Sequence, residues 1–237
     1  LIQLLVSAPT ESTALVNDIS LLIDGASIDV ISEEIFEDRD WIKHSKKQFT
    51  EIIISSRLRI IPPWIVDKGF SGETIIIEPG SGFGIGSHPT TQLCIRWIED
   101  QISINDKVLD YGCGSGILSI ISKKLGVKKV IGVDNDHQAL KNAERNKQLN
   151  SMEIDFVHTD NYQGSLKYDI VIANILLNTI IGLKETLISS LNPDGTLILT
   201  GILKDQAIEL ISSFSPEINL NIIEEQEGWL LFQGKNS

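Results

Sequence analysis

The stretch Val108-Leu-Asp-Tyr-Gly-Cys-Gly-Ser-Gly116 restricts the possible folds more than any other part of the chain. An apolar run passes into three alternating glycines and then into a helix-like segment. Glycine permits the sharp backbone turn and leaves no Cβ where a ligand has to approach. Twenty-two residues after Gly112, the apolar run Val130-Ile-Gly-Val133 ends on Asp134. A carboxylate at the tip of a second strand is placed to accept hydrogen bonds from two vicinal ribose hydroxyls. Both features fall at the carboxyl ends of predicted strands, where open α/β sheets bind ligands.

The glycine spacing is G-x-G-x-G, with Ile117 where a dinucleotide fingerprint requires its last glycine. Asp110 precedes the first glycine. The combination D-x-G-x-G-x-G suits S-adenosylmethionine better than a dinucleotide, because no pyrophosphate has to be cradled and the amino end of that ligand is cationic. A tight structural turn beside an ordinary surface aspartate is the plainer alternative.

The rhythm around this loop is strand–helix alternation. Short apolar runs occur at 107–109, 129–133, 154–157, 170–173 and 196–200, and helix-like stretches at 116–125, 137–149, 177–191 and 204–214. Such alternation predicts a mostly parallel α/β sheet with helices on both faces. The tail, 219–225 and 229–233 about Glu227-Gly228, predicts a closing antiparallel pair. Residues 1–38 carry eight acidic groups and no Lys or Arg, and are too few to hold a core alone. They are expected to be the remnant of a small, truncated α+β domain. Near-helical spacing of Trp41, Ile42, Ser45, Phe49, Ile52 and Ile53 predicts a connecting helix over 40–54, and Pro62-Pro63 ends any regular element. The expected domains are therefore 1–38, a linker helix and connector over 39–72, and the α/β domain over 73–237.

Composition narrows the function. The net charge is −12, which disfavours broad phosphate-backbone binding and favours a small ligand or a basic protein partner. An acidic N-terminal stretch is suited to steer a lysine-rich substrate, although such an excess is also what a plain solvated face looks like. Cys94 and Cys113 form neither a disulfide framework nor a C-x-x-C pair, so a reducing, cytoplasmic setting is expected. No apolar run reaches the ~18 residues of a membrane span. The first residue is Leu1, so the true N-terminus is expected further upstream, and no signal-peptide pattern is present. His44, His88, His137 and His158 are scattered and no metal cluster is expected.

Two further segments flank the glycine loop. Residues 80–86 hold four glycines and lead to His88-Pro-Thr-Thr91. They read as a lid over the cofactor, with a threonine hydroxyl or backbone group touching it, or as a linker in which Thr90-Thr91 caps a helix beginning near Gln92. His88 is expected to fix this loop. The fourth strand ends Ile170-Val-Ile-Ala-Asn174. An amide at that tip can orient an amine, or merely cap the following helix.

Taken together, Phe83-Gly-Ile-Gly-Ser-His-Pro-Thr-Thr91, Asp110-Tyr-Gly-Cys-Gly-Ser-Gly-Ile-Leu118, Ala173-Asn-Ile-Leu176 and Thr200-Gly-Ile-Leu-Lys-Asp-Gln206 resemble the PrmA-type bacterial ribosomal protein methyltransferases. The likeness runs from about Asp40 to the C-terminus. Gly82 and Ile85 stand where that family usually has Ala and Thr, and the N-terminal part is shorter. The resemblance implies a class I, Rossmann-like methyltransferase domain behind an N-terminal substrate-recognition domain and a linker helix. It implies transfer of methyl groups from S-adenosylmethionine to amino groups of ribosomal protein L11. By matching motif, the cofactor contacts would be Thr91, Gly112, Gly114, Asp134 and Asn174, with Asn174 also orienting the amine. Alternatives left open are a methyltransferase of a small molecule or RNA, a NAD-dependent oxidoreductase, and a degenerate domain serving as a binding scaffold.

Overall fold

A computed structural model describes residues 49–67, 69–80 and 85–236. The expected N-terminal domain over 1–38, most of the 40–54 helix and the centre of the 80–86 loop lie outside those residues.

The first described elements are β1 (Ile52–Ile53), β2 (Leu58–Ile61) and β3 (Glu73–Ile76), forming a small sheet in that order. Ile52 and Ile53 are thus strand rather than the end of a helix, pairing antiparallel with Ile60 and Arg59. The run of three β-branched isoleucines, 52–54, favours the extended state over the helical spacing that Ile52 and Ile53 also satisfy. Buried Arg59 fastens this sheet, which crosses the expected boundary at 72–73, through an ion pair to Glu51 at 2.7 Å, a hydrogen bond to Thr74 Oγ1 at 2.9 Å and an ion pair to Asp67.

Helix α1 (Pro89–Gln101) follows, and then the alternation begins. Its elements are β4 (Lys107–Tyr111), α2 (Ile117–Lys124), β5 (Lys129–Asp134), α3 (His137–Leu149), β6 (Asp155–His158) and β7 (Tyr168–Asn174). Next come α4 (Leu177–Gly182), α5 (Lys184–Ser189), β8 (Leu191–Leu203), α6 (Ala207–Phe214), β9 (Asn221–Gln226) and β10 (Trp229–Lys235). The single helix expected over 177–191 is two short ones meeting at Gly182-Leu183, where glycine weakens the helix.

The large sheet has seven strands in the order β6-β5-β4-β7-β8-β10-β9. The first five are mutually parallel, and β10 runs antiparallel to both β8 and β9. The period of two along each strand sends alternate residues to opposite faces. Val108, Val130, Ile170, Ile172, Ile198 and Leu231 enter one core with α1, α2, β2 and β3. Leu109, Ile131, Val171, Ala173, Leu199 and Phe232 enter the other with α4 and α6. Burial on both faces explains why these strands read as continuous apolar runs.

Candidate active site

The sheet reverses its order between β4 and β7, and the loops at the carboxyl ends of these two strands stand at this switch point, where open α/β sheets bind ligands in a crevice. The glycine loop of β4 is stitched to the tip of β5: the Gly112 and Cys113 N–H groups both donate to the Val133 carbonyl, at 2.7 and 3.0 Å. Gly112, Gly114 and Gly116 have φ of 78°, 53° and 78°, in the left-handed region. Packing adds a second requirement. A Cβ on Gly112 would lie 2.4 Å from Ile175 Cγ2, and one on Gly116 would lie 2.6 Å from Phe156 Cζ.

Asp110 is 1 % exposed and accepts both the N–H and the hydroxyl of Ser119, at 3.0 and 2.7 Å. The N-cap of α2 is Gly116, which has no side chain to offer. A carboxylate from the preceding strand therefore satisfies one of the orphan amides at that helix start. Burial pushes Asp110 up to about 6, against the pull of its two bonds to Ser119, with the nearby Asp134 adding to the rise.

Asp134 ends β5 with one carboxylate oxygen accepting the Gly114 N–H at 2.8 Å and the other accepting the Asp136 N–H at 2.9 Å. Each oxygen keeps a lone pair for a further donor. The carboxylate is thus held rigidly at the crevice and remains able to accept hydroxyls.

Across the switch point, Asn174 ends β7. It does not cap the next helix: the N-cap of α4 is Leu176, with no side-chain bond. Its Nδ2 instead donates to Thr91 Oγ1 at 3.4 Å. Thr91 is completely buried, in the first turn of α1. That helix begins three residues earlier than expected, because Pro89 is preset for the first helical position and His88 is the N-cap. His88 Nδ1 accepts the Thr90 N–H at 3.3 Å, and its ring meets Trp229 edge-on with centroids 5.1 Å apart.

Three features of the site have no clear signal in the sequence. Gly201, in β8, has φ 91°, and a Cβ there would stand 2.3 Å from the Ile175 carbonyl oxygen; an isolated glycine inside a strand pattern was the only hint. His137 and His158, far apart in the chain, stack with centroids 4.1 Å apart beside the tip of β5, and His158 Nε2 lies 3.0 Å from the Asn135 carbonyl oxygen. Ser119 shows its role only once α2 sits against β4. Among the described residues no group of three or more His, Cys, Asp and Glu could hold a metal ion. No helix of the described residues is long and apolar enough to cross a membrane.

The glycine loop, the fixed carboxylate on the neighbouring strand and the seven-stranded sheet with a reversed penultimate strand define a class I methyltransferase. This agrees with a methyltransferase structure from Pyrococcus furiosus, which superposes with a TM-score of 0.58 at 16% identity over 68% of this chain and 88% of that one. The model of the family "Ribosomal protein L11 methyltransferase (PrmA)" matches residues 2–237, and the chain belongs to that family. It is 38% identical over 223 residues to the ribosomal protein L11 methyltransferase of Chromobacterium violaceum, covering 92% of this chain and 74% of that protein. It is 41% identical over 202 residues to that of Neisseria meningitidis serogroup A, covering 85% and 68%. The crystal structure of a ribosomal protein L11 methylase from Lactobacillus delbrueckii subsp. bulgaricus superposes with a TM-score of 0.72 at 30% identity, covering 80% of this chain and all of that one.

Proposed function

We propose that this chain methylates amino groups of ribosomal protein L11, on lysine side chains, the N-terminal amine or both, with S-adenosylmethionine as the donor and in the cytoplasm. The observation that carries the reading is the pair Asn174–Thr91 facing the glycine loop and Asp134 across the switch point.

The residues at the crevice suit this cofactor. Asp134 has acceptor capacity left for two ribose hydroxyls, and Gly112 and Gly114 present backbone without side chains. Thr91 and Asn174 supply the polar groups at the other side. When bound, S-adenosylmethionine supplies an electrophilic methyl group on a sulfonium centre.

The chain's own part is to deliver a neutral, aligned amine. An unperturbed lysine, with a pKa of about 10.4, is mostly charged at pH 7 and has no free lone pair. A dry site, or acceptors that hold the free base, must shift that balance. With its amide nitrogen engaged by Thr91, Asn174 has its oxygen left to accept an N–H from the amine. Neighbouring backbone carbonyls complete the orientation. Alignment of this kind can supply up to roughly 7–11 kcal/mol without a strong acid or base.

The test is incubation with radiolabelled S-adenosylmethionine and purified ribosomal protein L11, with ribosomal RNA as a competing acceptor and NADH binding as a control. Label on amino groups of the protein is the expected result. Label in RNA alone, or NADH binding in place of methyl transfer, overturns the assignment.

A further inference from the structure

Helix α3 and its C-cap carry Asn142, Asn146 and Asn150 at intervals of four residues. Four residues of helix advance about 6 Å and two residues of strand about 6.6 Å, so such a row keeps step with alternate residues of an extended chain beside it. The end of β3 and the residues after it run along this row. Asn150 accepts the Ile76 N–H at 2.9 Å and donates to the Ile76 carbonyl at 2.7 Å. Two residues further on, Asn146 accepts the Glu78 N–H at 2.8 Å and Asn142 donates to the Glu78 carbonyl at 3.3 Å. Three amides thus take the place of a neighbouring strand on the open edge of β3, whose other edge is paired with β2.

Asn146 also donates from Nδ2 to Asn142 Oδ1 along the row, at 3.3 Å, and makes one bond that leaves the row. Its Nδ2 donates to the Ser115 carbonyl at 2.9 Å, inside the glycine loop. The side chain is completely buried. One amide therefore ties the backbone at Glu78, ahead of His88 and α1, to the loop between β4 and α2. The bridge needs an acceptor and a donor on one short planar group. Aspartate at pH 7 lacks the donor, and leucine lacks both.

We infer that Asn146 is a positioning residue for the cofactor: it sets the Ser115 end of the glycine loop against Glu78 without touching the ligand. This rests on the proposed role of residues 112–116 as the cofactor seat. Removing the amide takes a hydrogen-bond partner from the Ser115 carbonyl and from the half-buried Glu78 N–H, and the loop relaxes as these groups are satisfied anew. Ligand and transition state lean on the same loop, so both lose binding equally and the loss falls on KM rather than kcat.

The experiment compares Asn146→Ala with Asn150→Ala in the full chain. The second variant removes at least as many bonds from the same edge but none from the glycine loop. Calorimetric titration with S-adenosylhomocysteine is expected to show Asn146→Ala binding about tenfold more weakly than wild type. KM for S-adenosylmethionine should rise in parallel, with kcat changed less than about twofold. Asn150→Ala is expected to bind as wild type. Equal binding by Asn146→Ala and wild type, an equal deficit in Asn150→Ala, or a loss confined to kcat overturns the inference. Wild type failing to bind S-adenosylhomocysteine would instead overturn the cofactor assignment. Should Asn146→Ala not fold, hydrogen exchange on the wild type reads the same link. The ligand should slow exchange at the Glu78 amide and leave the Ile76 amide, which bonds to Asn150, unchanged; no slowing at Glu78, or equal slowing at both, sinks the inference.

Discussion

The amide of Asn174 and the hydroxyl of Thr91 meet at 3.4 Å although they stand 83 residues apart in the chain. The contact occupies the nitrogen of the Asn174 amide and leaves its oxygen as an acceptor, the role proposed above toward an incoming amine. Asn174→Ala is therefore expected to lower kcat by about 10²-fold, the scale of a misaligned reacting group, while the Kd of S-adenosylhomocysteine rises only a few-fold. Steady-state kinetics with ribosomal protein L11 beside calorimetry separate the two. Equal losses in both would reduce Asn174 to a cofactor contact.

Asp134 holds the Gly114 and Asp136 amides and offers its remaining lone pairs to the crevice. Asp134→Ala is expected to weaken S-adenosylhomocysteine binding at least about tenfold, the loss of the two charge-assisted hydrogen bonds proposed for the ribose hydroxyls. The measurement is a direct titration. Unchanged affinity would remove Asp134 from the ribose site.

Asp110 carries a pH signature. Burial holds it at about 6, against 3.8 for a free aspartate. Between those values the folded chain binds the proton more tightly than the unfolded one, so stability from this group is greatest below about pH 4 and falls as pH rises through about 6. The buried charge costs about 3 kcal/mol at pH 7. Asp110→Asn carries no charge and keeps an oxygen for Ser119, so its stability relative to wild type should climb from pH 4.5 to pH 7. Urea unfolding across that range tests this, and a difference independent of pH contradicts it.

Gly201 admits no side chain, because its φ of 91° and the Ile175 carbonyl 2.3 Å from a Cβ both forbid one. Gly201→Ala should lose about 3 kcal/mol, roughly 6–12 °C in Tm for a chain of this size. Turnover should fall as well, because Ile175 adjoins Asn174. A melting temperature within 2 °C of wild type, on an order-of-magnitude scale, would show that the backbone yields freely there.

Local sequence determined the parts whose physics is local. Strand runs buried on both faces, helices between them and the glycine turns follow from side-chain hydropathy and backbone freedom, so the α/β alternation and the loop at 112–116 are legible without coordinates. Asp110 and Asp134 stand out as carboxylates bracketing such a loop, and Asn174 as an amide at a strand tip. What the sequence could not decide are relations between distant segments. Ile52 and Ile53 satisfy both helical spacing and strand propensity, and their pairing with β2 settles the choice. The capping of α2 by Asp110, the burial of Thr91 behind Asn174, the stacking of His137 on His158 and the bridge made by Asn146 each depend on a partner 9 or more residues away. Such contacts arise only when the sheet order brings the partners together. A hydrogen bond acts over about 3 Å, and no pattern of neighbours along the chain encodes that distance.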